Sequence, residues 1–217
     1  MPDLIFTRRA ALLAMSALVA TPALAQKAPP VPPLSAEDKA SVDKAVAYLQ
    51  GLTQVKGRFA QIDPRGRRTD GDFYLKRPGK VRFAYDPPAS MLLVSDGGTV
   101  NILDTKLKTF ESYPLGMTPL SLFLSKEIRL DKGVVVTGVK RYADAFTITC
   151  RDGKKDVDGQ IALTFSNDPV ALREWTVTDA QRQATKVMLS ALTPTASLDP
   201  ALFVLKDPRP RPGTARP

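Results

Sequence analysis

The sequence predicts a mainly β fold with some α: a single antiparallel sheet of about eleven strands, curled into an incomplete (half) barrel and lidded by short helices. Three observations lead there. From Val55 onward, apolar and β-branched residues recur with a period of two, the signature of strands with one buried face. The segments are separated by short clusters of Gly, Pro, Asn and Asp, too brief to carry the helical crossovers that parallel strands need. The alternation is interrupted once, by an almost wholly apolar stretch at Thr118–Lys126. A sheet with this many strands curls as its twist accumulates.

Each element has its own signal. Gln26 to Leu34 holds four prolines and reads as an extended leader. Ser35 is a good N-cap, with Glu37 and Asp38 in the first turn, where the helix dipole favours acids. Val42, Val46 and Leu49, with Ala45 and Leu52 beside them, form the stripe of an amphipathic helix ended by Gly51. The expected strands are Val55–Ile62, Thr69–Arg77, Val81–Tyr85, Met91–Ser95, Thr99–Leu103, Lys108–Tyr113, Val134–Arg141, Ala145–Arg151, Gln160–Ser166, Ala171–Thr178 and Thr185–Leu192. Asp63-Pro64-Arg65-Gly66, Pro78-Gly79, Asp96-Gly97-Gly98 and Asn167-Asp168-Pro169 are the clearest turns. Consecutive strands should pair as one meander. At Thr118–Lys126, Thr118 is placed to cap, Pro119 suits the first helical position, and Leu120, Leu122, Phe123 and Leu124 make a short helix that should face an apolar interior.

Composition narrows the function. Hydrophobic residues are 43% of the 217, enough for a sizeable core, and the formal charge is +9. The basic residues are scattered, and no nucleic-acid recognition motif accompanies them. Arg8 and Arg9 precede an apolar run from Ala10 to Ala20 that is too short to span a bilayer, followed by Ala23-Leu24-Ala25. This is a secretory signal peptide over residues 1–25, and it places the mature chain in the periplasm. Thr7-Arg8-Arg9 fits both ordinary and twin-arginine export. No Cys stands at the cleavage site for lipidation. The expected divisions are then a leader at 26–34, one domain at 35–205 and a disordered basic tail at 206–217, where Pro and Arg alternate.

Catalytic chemistry is scarce. The chain has no His, which excludes Ser-His-Asp and Cys-His nucleophiles and most zinc sites. Cys150, the one cysteine, shares a strand face with Phe146 and Ile148 and reads as a small buried hydrophobe. Asp152, Asp156 and Asp158 lack the downstream bidentate Glu of a calcium loop. Gly97-Gly98 is a hairpin turn with no following helix to cradle a phosphate. No enzyme activity, metal or cofactor is expected.

Several segments, in order and spacing, carry a resemblance. They are Val55-Lys56-Gly57-Arg58-Phe59-Ala60-Gln61, Gly71-Asp72-Phe73-Tyr74-Leu75-Lys76-Arg77-Pro78-Gly79, Val81-Arg82-Phe83 to Tyr85, Pro87-Pro88, Leu92-Leu93-Val94-Ser95-Asp96-Gly97, the helix Thr118 to Leu124, and Leu198-Asp199-Pro200 with Phe203. Together they make the chain similar to the outer-membrane lipoprotein carrier family of LolA type, over nearly the whole mature length. The resemblance implies a monomeric half-barrel lidded by helices, whose apolar hollow binds the acyl chains of lipoproteins. Its implied partners are an inner-membrane lipoprotein-releasing ABC transporter and an outer-membrane lipoprotein acceptor. One departure is Asn101, where the family often has an aromatic, which implies a less aromatic hollow.

Acyl chains offer no charge, so their site must be apolar area. Leaving a bilayer costs about 0.8 kcal/mol per CH₂, on the order of 30 kcal/mol for three long chains, and only a whole concave sheet face can offset that. The candidate cavity residues are Phe59, Phe73, Leu75, Val81, Phe83, Leu92 and Val94. Leu120, Leu122, Phe123 and Leu124 form the candidate lid helix. Arg77 matches the family's Lys-Arg-Pro segment and resembles a latch that holds the lid through backbone carbonyls; its five donors suit several acceptors at once. Two other readings remain open. One is a carrier that also performs the acceptor step, kept open by the loop Asp86–Met91 if Met91 is exposed. The other is a periplasmic lipoprotein-sensing regulatory domain.

Overall fold

The computed structural model describes residues 33–130, 133–153 and 159–209. The signal segment, the leader up to Pro32, Asp156, Asp158 and the tail from residue 210 lie outside the described residues. Helix α1 (Ala36–Gly51) starts as the sequence indicates: the Ser35 hydroxyl accepts from the Asp38 amide at 3.1 Å, with Glu37 and Asp38 in the first turn. Ala45 and Leu49 are its buried stripe, flanked by Val42, Val46 and Tyr48.

Eleven strands form one open antiparallel sheet. They are β1 (Gln54–Ile62), β2 (Arg68–Lys76), β3 (Lys80–Tyr85), β4 (Met91–Asp96), β5 (Thr99–Asp104), β6 (Thr109–Pro114), β7 (Val134–Arg141), β8 (Ala145–Asp152), β9 (Gln160–Ser166), β10 (Leu172–Thr178) and β11 (Ala184–Pro194). Their order differs from a single consecutive meander. β1 pairs with β11, so two meanders meet at the centre and β6 and β7 become the two edges. The strands' own surfaces explain this. β11 is the longest strand, at 11 residues, and shares with the 9-residue β1 a ladder from Val55↔Pro194 to Ile62↔Lys186. β6 is exposed at every position except Phe110, which suits a solvated edge better than a sheet centre.

The sheet is strongly curled. β3 and β10 are four strand spacings apart, roughly 19 Å in a flat sheet, yet the rings of Phe83 and Trp175 stand 6.2 Å apart. The inner face holds the main core, from Val55 and Phe59 to Leu163, Phe165 and Trp175. The segment after β11, with a 3-10 turn at Pro200–Phe203, covers the outer face of β2–β4. There Leu198 and Phe203 pack on Val94, and Arg82 donates to the Leu202 carbonyl at 3.0 Å.

Because β6 and β7 are opposite edges, the link between them must cross the mouth of the curl. It carries a 3-10 turn (Leu115–Met117) and α2 (Ser121–Leu124), one helical turn where Thr118–Lys126 was expected. Thr118 does not cap forward; its hydroxyl donates back to the Leu115 carbonyl at 2.8 Å. The helix stops early because its terminal carbonyls are claimed from outside. The Gly79 amide donates to Leu124 O at 2.7 Å, and the Arg77 guanidinium takes those of Ser125 and Lys126.

Candidate functional site

The inner face of the sheet and the two helices enclose a small apolar cavity. Phe73 and Leu75 of β2 and Val81 and Phe83 of β3 form one wall; Leu172 and Trp175 of β10 and Leu189 and Leu192 of β11 form the opposite one. Leu49 and Leu52 from the end of α1, and Leu120, Phe123 and Leu124 from the α2 link, close the top. The Phe123 ring lies 5.3 Å from that of Trp175, so α2 rests directly on the far wall. A bulge in β11 opposite β1 brings Leu192 inward, and a side chain at Gly57 would meet its Cδ2 at 2.9 Å. The cavity holds ≈ 30 Å³, room for a water molecule or two and nothing larger.

Arg77 follows β2 and sits where α1, the α2 link and the β2–β3 turn converge. One guanidinium nitrogen donates to Leu49 O at 2.6 Å and Gln50 O at 3.2 Å, the last turn of α1. The other donates to Ser125 O at 2.6 Å and Lys126 O at 3.2 Å. These acceptors are main-chain carbonyls at two helix ends, where the macrodipole is negative. No carboxylate takes part. Burial pushes the guanidinium below its usual pKa, though an arginine stays charged in a protein. Its Nε is buried without a partner. Gln50 adds a second bridge: its amide donates to Lys126 O at 3.2 Å, and its oxygen accepts from the Ile128 amide at 2.9 Å. The turn beneath is fixed by Gly79, at φ +82°, whose carbonyl accepts from the buried Ser95 hydroxyl at 2.7 Å. A side chain at Gly79 would meet Gly97 Cα at 2.6 Å.

Of the candidate cavity residues, Phe73, Leu75, Val81 and Phe83 are brought together around the hollow. Phe59 is buried on the same face but sealed behind Phe83 and Tyr85, with ring distances of 5.0 and 4.9 Å, and does not line the cavity. Leu92 and Val94 are corrections. In the β3–β4 register Phe83 faces Leu93 and Val81 faces Ser95, so Leu92 and Val94 point to the outer face and pack in the cluster around Leu198 and Phe203. Asn101 pairs with Val94 and shares that outer face, so its departure from an aromatic does not touch the hollow. Of the candidate lid residues, Leu120, Phe123 and Leu124 face the cavity, whereas Leu122 faces a separate groove. Met91 begins β4 and is half-buried.

Sequence reasoning missed Gln50 and the whole β10–β11 wall. The wall's alternation at Trp175 and Val177 was visible, but nothing local indicates that it curls back onto β3. Cys150 lies in the core, and burial pushes its thiol up to about 12, which removes its nucleophilic character at neutral pH. Among the described residues there is no cluster of metal-ligating side chains, and no helix is long and apolar enough to cross a membrane.

Residues 50–206 match the family of the outer membrane lipoprotein carrier protein LolA. The chain is 27% identical over 185 residues to an outer-membrane lipoprotein carrier protein of Chromobacterium violaceum, covering 81% of this chain and 88% of that one. With the carrier protein of Methylococcus capsulatus it shares 29% over 179 residues, covering 78% and 82%. A LolA superfamily protein of Nitrosomonas europaea, known as a crystal structure, superposes with a TM-score of 0.45 at 8% identity, covering 77% of this chain and 97% of that one. With the family's match running from the end of α1 through the segment that covers the outer face, this chain belongs to the LolA family of outer membrane lipoprotein carriers.

Proposed function

We propose that this protein is a periplasmic, non-enzymatic carrier that binds the acyl chains of lipoproteins in its apolar hollow and moves them from the inner to the outer membrane. The observation that carries the reading is the pairing of a nearly filled apolar cavity with a lid held by one cation on main-chain carbonyls. A hollow of ≈ 30 Å³ admits no acyl chain, so binding requires α1 and α2 to move off the sheet. The apolar area then uncovered on the concave face is what an acyl chain leaving a membrane needs. Arg77 acts as the latch of the empty form. A hydrogen bond to a charged donor contributes about 1.5–3 kcal/mol, enough to bias the lid shut and small enough for cargo to open it.

The names of the relatives support a lipoprotein cargo, and the signal segment with Ala23-Leu24-Ala25 supports export with cleavage before Gln26. An inner-membrane releasing transporter and an outer-membrane acceptor are the partners this route requires. The test is mass spectrometry of material that co-purifies with the protein from periplasm. Released lipoproteins, with the carrier's N-terminus at Gln26, are the expected result. A stoichiometric regulatory protein and no acylated material would overturn the carrier reading in favour of a sensor domain.

A further inference from the structure

Beside the closed cavity lies a second hollow that is already open. It is a groove of ≈ 490 Å³ between the α2 link and the ends of β7–β10, within the size range of small-molecule sites, roughly 300–1,000 Å³. Leu122, Val134, Ile161 and Val177 give it an apolar floor over the buried Cys150, with Met117, 70% exposed, at its lip. Among the described residues that line it, the charged groups are Arg151 and Asp179, one of each sign.

The partition between groove and cavity is a single helical turn. Within α2, Leu122 faces the groove while its neighbour Phe123 faces the cavity and rests on Trp175. Two hollows, one open and one filled, thus share one wall, and that wall is the element whose last carbonyls Arg77 and Gly79 hold. A chain lying along Leu122 touches the outer side of the lid while the latch is still shut.

We infer that the groove is a preformed docking site for the first acyl chain of a lipoprotein cargo, occupied before the lid opens. This inference rests on the acyl-carrier reading and adds an order of events to it: one chain lies against Leu122, α2 is displaced, and groove and cavity merge into one apolar trough. The occupant is an acyl chain because the floor is apolar and only the single turn of α2 separates the groove from the apolar cavity. A flexible thioether such as Met117 at the lip suits a ligand of variable shape.

Trp175, the one tryptophan, reports on the cavity side and makes the order measurable. The mature chain is titrated with cis-parinaric acid to follow binding, and with dibromostearic acid to quench Trp175 on contact. In the wild type the first chain should bind while Trp175 emission stays largely intact, with quenching only at higher occupancy. Val177→Glu, in the groove floor and away from the cavity, should weaken the silent step about tenfold or more. In the Arg77→Leu background it should leave the quenching step in place. Ala180→Glu, at the exposed rim, should weaken the silent step less and serves if Val177→Glu fails to fold. A synthetic triacylated lipopeptide should displace parinarate from the silent step at lower concentration than stearate; the reverse order would overturn a lipoprotein source. Quenching of Trp175 by the first chain bound, or wild-type silent binding in both groove variants, would overturn the docking site and leave the carrier reading intact. Absence of any acyl binding in the wild type and in Arg77→Leu would overturn both.

Discussion

Arg77 and Gln50 converge on one acceptor: both donate to the carbonyl of Lys126, at 3.2 Å each, the first from the β2–β3 turn and the second from the last turn of α1. Arg77 also holds Gln50's own carbonyl. The three segments that close the hollow are therefore joined through main-chain oxygens, and the joint comes apart without leaving a carboxylate stranded. That separates it from a buried ion pair, whose rupture leaves a costly charge.

Replacing Arg77 with Leu keeps much of the aliphatic stem and removes the donors. The closed form should lose roughly 1.5–3 kcal/mol, shifting the lid equilibrium by about ten- to a hundredfold. Binding of a fluorescent fatty acid should tighten, while transfer of loaded lipoprotein to outer-membrane vesicles should fall. Arg77→Lys should be intermediate, because an ammonium cannot fork to four carbonyls. Unchanged affinity together with unchanged transfer would reduce Arg77 to a strand-end cation.

Gln50→Ala removes neutral amide bonds from the same joint. A loss of about 1 kcal/mol is expected, so affinity should move in the direction of Arg77→Leu by roughly fivefold. A Gln50→Ala, Arg77→Leu double variant should fall short of the sum, since both act on one carbonyl. Additive effects would show that the two bridges are independent.

Phe123→Asp places a carboxylate against Trp175. The sheet keeps its own ladders, so far-ultraviolet dichroism should be retained while Trp175 emission shifts to the red and lipoprotein release from inner-membrane vesicles is lost. Global unfolding instead would show that α2 is ordinary core.

Gly71 faces Phe59 and β3 at close range; a Cβ there would stand 2.3 Å from Ala84 O and 2.5 Å from a Phe59 ring carbon. Gly71→Ala should cost about 1–3 kcal/mol or more, read as a fall in the urea midpoint. Gly98→Ala, where the nearest atom is 3.7 Å away, should stay within about 0.5 kcal/mol of the wild type. Equal midpoints would contradict the packing of Phe59 over β2.

Alkaline pH should unfold the protein through buried acids. In the unfolded chain Cys150 ionises near its ordinary 9.0, whereas burial in the fold holds it protonated up to about 12. Burial does the same to Tyr85, from 10.0 to about 12, against a smaller opposing effect of its 2.7 Å bond to Gln61. A weak acid whose pKa is raised by folding favours the folded state fully below its unfolded value, and that contribution drains away as pH rises toward the folded one. Stability should therefore fall between about pH 9 and 12, and Cys150→Ala should flatten the first part of that fall. A thiol that reacts with a disulfide reagent at pH 8 in the native state would contradict this burial.

Local sequence determined the local structure. The Ser35 cap, the period of two, and turns such as Pro78-Gly79 and Asp96-Gly97-Gly98 act within a few residues, and they settled the number of strands, their limits to within two residues, and the start of α1. The family segments marked Arg77, Phe73, Leu75, Val81 and Phe83, and these do converge. The tertiary structure decided what depends on contacts distant in the chain. Which strands become edges followed from β1 meeting β11 across some 130 residues of chain. Which face of β4 looks inward was hidden because the segment around Leu198 and Phe203 buries the other face, so Leu92-Leu93-Val94 is apolar on both sides and its alternation carries no sign. The length of α2 was set by donors from Arg77 and Gly79, and the volume left beneath it by β10 and β11 curling back onto β3. Side-chain pattern is a short-range signal, whereas curvature, strand order and the fate of a helix's last carbonyls are fixed by whatever packs against them.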